Sequence, residues 1–322
     1  MIYFKGMGMI GNGAHDPFRI IIKGCLAQCG IPITIEEDRI FDHSSACQYN
    51  CVCITTDEST QAFLESFRPY IRELRKKYKG ESVCVDYADE NFRRAYMLAY
   101  YPFYINPICQ TLESCNFVEI IGEKENLHTC CFGGGPLPEL LGIGKYINSY
   151  MPGTWCINCT VFDYYEEWTH ERQLHTLNLI GHYYSGLPNL FEKSFDLWSG
   201  RLQVPDEVKN SDLVVFQNCF NDCPTEKYGI LKNNVRAIWE NMPRNSLMVI
   251  IDLDYSATID LIRQIEAMIA AAGGNILLPA KINDCPLRNC QLLIERLYDG
   301  TDGLIPRYHS WYWSLAVVKN RD

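Results

Sequence analysis

The stretch His128-Thr-Cys-Cys-Phe-Gly133-Gly134-Gly135-Pro136-Leu137-Pro138-Glu139-Leu-Leu-Gly142-Ile reads as a strand, a tight glycine turn and the start of a helix. Pro138 suits the first helical turn, where its missing N–H would have no partner anyway. Glycine at the turn allows positive φ, keeps side chains out of the way and leaves N–H groups at a helix N-terminus to meet a nucleotide-like ligand. A glycine triplet can also do no more than join a strand to a helix, so the residues downstream of it decide.

Downstream, short apolar runs alternate with loops and helices, the signature of repeated βα units. Seven candidate strands lie at about 128–132, 155–162, 190–195, 213–216, 246–251, 275–279 and 311–319. Helical stretches at 137–149, 166–179, 228–242 and 256–272 lie between most of them. Only 285–298 and a glycine-containing loop separate the last two strands, which permits a closing antiparallel pair. The expectation is an α/β fold: a Rossmann-like, mainly parallel seven-stranded sheet flanked by helices.

Upstream, Phe63, Leu64, Phe67, Tyr70, Ile71 and Leu74 recur at spacings of three and four, which predicts one amphipathic helix over 59–78 before Gly80. Further helices are expected at 91–101, ended by Pro102, and at 105–114, preceding and capping the sheet. Residues 1–56 carry glycines at 6, 8, 11, 13, 24 and 30 and no long helical stripe, so they read as a small irregular or β-rich segment. The division expected is an N-terminal appendage over 1–86 and a sheet domain, with its cap helices, over 87–322.

Two acidic residues extend the reading of the loop. Asp163 closes the second candidate strand, where a carboxylate can accept both hydroxyls of a ribose, and Asp196 ends the third, within reach of an adenine amino group. With Phe132-Gly-Gly-Gly-Pro-Leu-Pro-Glu139 and Asp212-Leu-Val-Val-Phe-Gln217-Asn218-Cys-Phe-Asn221, they give a chain that, over about 87–322, resembles the class I S-adenosylmethionine-dependent methyltransferases. The resemblance implies the methionine part of S-adenosylmethionine near Gly133, Gly134, Gly135 and Pro136, ribose at Asp163, adenine at Asp196, and an active-site mouth at Gln217, Asn218 and Asn221. Leu137 departs from the family, which usually has a third glycine there. The Gly-Pro-Leu-Pro turn is also similar to that of nicotianamine synthases, which transfer an aminocarboxypropyl group from the same cofactor. A nicotinamide dehydrogenase shares the strand, loop and helix, but Pro138 breaks its Gly-x-Gly-x-x-Gly pattern.

Methyl transfer from a sulfonium mainly requires that acceptor and methyl be held in line away from water. For a hydroxyl or ammonium acceptor a general base helps, and Asp222, His182 and His309 are candidates, each also readable as an ordinary surface or core residue. Asn218 and Asn221 are candidates for orienting the acceptor, or are simply turn residues. Arg94, adjacent to Arg93, is the candidate for the cofactor carboxylate. The aromatic run Tyr100 to Tyr104 reads first as core packing and second as a cover for the pocket.

The 322 residues carry a formal net charge of −10, which disfavours sequence-independent binding to nucleic acid. The basic stretch with Arg72, Arg75, Lys76 and Lys77 reads as the solvated face of a helix. No secretory signal is evident near Met1 and no stretch of about 20 apolar residues occurs, so a cytoplasmic protein with no membrane span is expected, its sixteen cysteines reduced. Cys25, Cys29, His43, Cys47, Cys51 and Cys53 could hold zinc but match no standard module. Cys156-x-x-Cys159 and Cys130-Cys131 fall in strands and read as core. The partner expected is a small-molecule or protein methyl acceptor, with the oligomeric state open; a fold that has lost catalysis and serves as a scaffold is the non-enzymatic alternative.

Overall fold

The computed structural model describes residues 58–78, 85–286, 297–301, 304 and 309–319. The possible zinc ligands between residues 25 and 53, and most of the expected appendage, lie outside the described residues.

All seven expected strands are present: β1 Asn126–Phe132, β2 Cys156–Asp163, β3 Leu187–Ser194, β4 Leu213–Gln217, β5 Leu247–Leu253, β6 Asn275–Pro286 and β7 His309–Val318. They form one sheet in the order β3-β2-β1-β4-β5-β7-β6. The first five pair in parallel, while β7 runs antiparallel to both β5 and β6. The sheet is therefore mixed, with parallel pairings over its first five strands and an antiparallel pair closing one edge.

Residues of β4 and β5 are buried throughout, as expected of central strands covered on both faces. Alternate residues divide between two cores. Cys131, Ile157, Val161, Val215 and Val249 face the core shared with helices Ile105–Ser114 and Pro138–Tyr150. Cys130, Phe132, Phe162, Val214 and Phe216 face the core shared with helices Tyr228–Asn241 and Ser256–Ala271. Phe132 lies in register with Phe162 on one side and Phe216 on the other, with ring centroids 4.6 and 5.1 Å away and nearly parallel planes. Each buried ring contributes roughly 2–3 kcal/mol relative to exposure, and together they fix the three strands whose ends carry the cleft.

Three departures from the expected elements have local causes. The stretch 59–78 is two helices, Glu58–Ser66 and Arg68–Tyr78, because Pro69 cannot donate to the carbonyl four residues back. Leu64, Phe67, Ile71 and Leu74 nevertheless pack into the same core as the sheet. The helix expected over 166–179 begins at Trp168 and widens into a π turn at Arg172–Thr176. β6 continues past Pro279 to Pro286, with register shifts between Ile276 and Leu278 and again between Leu278 and Lys281; an edge strand with a bulge tolerates a proline that cannot donate. Among the described residues, no helix is long and apolar enough to cross a membrane.

Candidate functional site

The cleft lies at the C-terminal ends of β1, β2, β3 and β4, where the chain order reverses from β2-β1 to β4, the usual ligand crevice of an open α/β sheet. Its volume is about 430 Å³, within the range of small-molecule sites.

The glycine turn forms one wall. Gly133 (φ +62°) donates its N–H to the Phe162 carbonyl at 2.7 Å, which ties the turn to β2. Gly135 (φ +49°) donates to Asp163 Oδ2 at 2.7 Å, and Tyr165 N–H donates to Asp163 Oδ1 at 2.9 Å. Each carboxylate oxygen keeps a further lone pair for a hydroxyl. Leu137 adopts the left-handed backbone conformation (φ +64°, ψ +52°) that glycine would favour at this position. Full burial of its side chain and an N–H bond to the Gly134 carbonyl accompany that conformation. Helix Pro138–Tyr150 then starts at the cleft.

The π turn holds the far side of the loop. Arg172 donates to the Gly135 carbonyl at 2.6 Å and pairs with Glu192 at 2.9 Å, while Thr176 Oγ1 donates to the Pro136 carbonyl. With both carbonyls engaged from behind, and the N–H groups of Gly133, Gly135 and Leu137 bonded to Phe162, Asp163 and Gly134, the turn is held in place where Gly133 to Pro136 line the cleft. Such widened turns recur at functional sites.

The opposite wall continues from β4. Asn218 takes φ +54° and donates its N–H to the Ile251 carbonyl. Asp252 underpins the next residues, its Oδ2 accepting from Phe220 N–H at 2.8 Å and Asn221 N–H at 3.3 Å and its Oδ1 from Leu253 N–H. Gln217 anchors through Nε2 to the Tyr104 carbonyl at 2.8 Å, leaving its buried Oε1 without a partner.

Of the residues expected at the site, Gly133, Gly134, Gly135, Pro136, Asp163, Asp196, Gln217, Asn218 and Asp222 all line this one cleft. Asp196 accepts the Trp198 N–H through Oδ1. Asn221 and Arg94 are not among its lining residues. Asn221 is buried and gives its N–H to Asp252, and Arg94 pairs with Glu90 one turn back on its own helix. Arg93 is no substitute: it is buried, pairs with Glu171 at 2.9 Å and donates to the Tyr87 and Ala88 carbonyls, so it joins two helices. His182 is exposed at the end of its helical segment, and the His309 side chain lies outside the described residues. Tyr100, Tyr101, Phe103 and Tyr104 are all buried, in keeping with core packing. The nine described cysteines are free and buried, Cys131 and Cys159 lying 3.9 Å apart on one face, and no metal-competent group of three ligands occurs among the described residues.

Sequence reading missed Glu139, Tyr87, Tyr96, Trp168 and Trp198, which also line the cleft. An acidic residue in a first helical turn normally serves the helix dipole in solvent, so nothing in the sequence marks Glu139 as buried. Its side chain is 2% exposed and Oε2 has no hydrogen-bond partner. Burial pushes the carboxyls of Glu139, Asp163 and Asp222 above their usual range, with neighbouring acidic groups adding to the rise at Glu139 and Asp222, and burial pushes Asp252 up to about 7 against the opposing pull of its three N–H bonds.

These raised carboxyls set a pH dependence. A folded pKa above the unfolded one gives stability that is full below the unfolded value and is lost as pH rises through the folded value. For Asp252, with an ordinary value of 3.8 and a folded value of about 7, the loss between about pH 5 and about pH 8 is about 2–3 kcal/mol. Urea unfolding across that window should show stability falling with pH, and Asp252→Asn should flatten the slope, less stable than wild type at about pH 5 and converging on it towards about pH 8. A wild-type profile that rises with pH would contradict the raised carboxyls.

No family model matches the chain, and no curated protein matches it in sequence. Among solved structures, a methyltransferase from Pyrococcus furiosus matches 65% of this chain and 83% of its own at 8% identity and a TM-score of 0.35. The METTL16 methyltransferase domain matches 81% of this chain and 92% of its own at 12% identity and a TM-score of 0.37. The DhpI-SAM-HEP complex matches 81% of this chain and 99% of its own at 12% identity and a TM-score of 0.30. At these similarities the functional reading rests on the residues of the cleft.

Proposed function

We propose that this chain is an S-adenosylmethionine-dependent methyltransferase acting on a small-molecule or protein acceptor. The observation that carries this reading is the convergence, in one cleft at the chain reversal of the sheet, of the positive-φ glycine turn with Asp163, Asp196 and Gln217.

The residues present fit the cofactor. Gly135 leaves room beside the Trp168 ring, since a Cβ there would meet only ring atoms at 3.7 and 3.8 Å. Asp163 keeps lone pairs for ribose hydroxyls, Asp196 stands one strand further on for adenine, and Glu139 Oε2 is a buried acceptor suited to a cationic donor such as the cofactor's ammonium. When bound, S-adenosylmethionine supplies a methyl group activated by its sulfonium. The protein's own part is to orient, through Gln217 and Asn218, to exclude water with Tyr87, Tyr96 and Trp168, and to accept a proton at Asp222.

Calorimetric titration tests the reading. S-adenosylmethionine should bind with micromolar affinity and NAD should not, and Asp163→Asn should weaken the former about tenfold, the scale of one charge-assisted hydrogen bond. Binding of NAD alone, or of neither, removes the proposal. Turnover should release S-adenosylhomocysteine; methylthioadenosine would instead establish aminocarboxypropyl transfer.

A further inference from the structure

The cleft has an excess of one kind of chemistry. Its described lining holds five carboxylates, Glu139, Asp163, Asp196, Asp222 and Glu226, against a single cation, Lys227, whose ammonium lies over the Trp198 ring. Burial first, and the neighbouring carboxyls of Asp252 and Asp163 after it, push the Asp222 carboxyl above its usual range. Three buried acceptors on this lining have no donor: Glu139 Oε2, Asp222 Oδ1 and Gln217 Oε1. Gln217 and Glu139 are each only 2% exposed. An unmatched buried acceptor costs about 1–3 kcal/mol, more if charged, so a ligand that supplies N–H donors and positive charge recovers that energy on binding.

S-adenosylmethionine accounts for part of this. It carries a sulfonium, an ammonium and a carboxylate, one net positive charge, and Glu139 at the glycine turn suits its ammonium. Asp163 is already met by two N–H groups and Asp252 by three. Asp222 is left over. It lies on the β4 side of the cleft, which Tyr87, Tyr96 and Trp168 line with it.

We propose that the acceptor is an amine, bound as its ammonium between Asp222 and the aromatic wall formed by Tyr87, Tyr96 and Trp168. This rests on the methyltransferase reading and names its substrate class. An ammonium satisfies the unmatched oxygen of Asp222 by a charge-assisted hydrogen bond and gains further from the faces of electron-rich rings. Carboxylate or phosphate acceptors would bring negative charge to a lining that holds five carboxyl groups and one ammonium. To become nucleophilic the ammonium must lose one proton, and Asp222 Oδ1 is the unoccupied base that takes it, leaving the nitrogen lone pair free.

The test is calorimetry on the full chain near neutral pH with benzylamine, an ammonium under those conditions, and benzyl alcohol, its neutral analogue. The amine should bind at least tenfold more tightly, and Asp222→Asn should bring it to the affinity of the alcohol. Equal affinities, or binding of neither, overturn the proposal. The wild-type comparison decides the matter even where Asp222→Asn fails to fold. A preference lost in Glu139→Gln but kept in Asp222→Asn overturns the assignment to Asp222. Titration with S-adenosylhomocysteine separates the two levels. Its binding without any amine preference leaves the methyltransferase reading and removes the amine, whereas amine preference without its binding keeps the cation site and removes the cofactor.

Discussion

Gly133→Ala should lower affinity for S-adenosylmethionine by at least about a hundredfold and destabilise the chain by about 3 kcal/mol, through two effects that add. The first is backbone strain: φ at Gly133 is +62°, and a residue with a Cβ held there costs about 1–2 kcal/mol. The second is collision, because an added Cβ would lie 2.5 Å from Cys219 Cβ. Both atoms are attached directly to backbone, so no rotamer change separates them, and the glycine turn and the loop after β4 must move apart. Those segments are the two walls of the cleft. Gly135→Ala provides the contrast: φ there is +49°, but the nearest atoms to an added Cβ are a ring carbon and the ring nitrogen of Trp168 at 3.7–3.8 Å, so strain acts without collision and the loss in stability should be about 1–2 kcal/mol. Adding Cys219→Gly to Gly133→Ala should recover part of the binding. Thermal unfolding and calorimetry on the three proteins check this, and equal effects of Gly133→Ala and Gly135→Ala would show that collision is not the cause.

The same loop shows how far the sequence is legible. Strands buried on both faces leave unbroken apolar runs, which is why β4 and β5 can be placed from composition alone. Glycine at a turn and carboxylates at strand ends are visible because each type is ill suited to the interior of a strand. Leu137 is less legible. Its residue type argues against a left-handed conformation, yet it adopts one, with the fully buried side chain in the core. Local preference is a small term that packing overrides.

The rest of the lining is not readable in advance. Tyr87 and Tyr96 precede the sheet, Trp168 belongs to the segment after β2, and Glu139 looks like an ordinary residue of a helix start; only the fold brings them to one cleft. Arg94 shows the reverse error. It has the right charge for a carboxylate, but helix Glu90–Ala99 turns it towards Glu90, while its neighbour Arg93 is committed to Glu171. Which of two adjacent arginines faces inward depends on helix rotation about its axis, and the aromatic packing of Tyr96 with Tyr87, Tyr100 and Trp168 is what fixes that rotation here. The π turn is illegible for a related reason, since the bonds of Arg172 and Thr176 to the glycine loop are long-range in sequence.

Gly142→Ala should destabilise the chain by about 2 kcal/mol or more, although alanine is the better helix former. Gly142 lies within helix Pro138–Tyr150 where it meets helix Ile105–Ser114. A Cβ there would stand 2.2 Å from the Ile105 carbonyl oxygen and 2.3 Å from Ile108 Cγ2. The isoleucine methyl could turn away, but the carbonyl oxygen is part of the facing backbone, so one helix must shift as a unit. The gain in helix propensity, about 1 kcal/mol, offsets only part of an overpacking cost that reaches about 3 kcal/mol or more when backbone must move. Because the same helix begins at Pro138, beside the glycine turn, the shift should carry to the cleft and weaken cofactor binding as well. Gly229→Ala isolates the propensity effect: Gly229 lies in helix Tyr228–Asn241 and an added Cβ meets nothing within 4 Å, so that variant should be more stable by up to about 1 kcal/mol. Urea unfolding of the two variants should therefore move in opposite directions from wild type. If both are stabilised, the two helices are not packed through Gly142 at backbone contact, and the route by which this helix crossing supports the cleft is wrong.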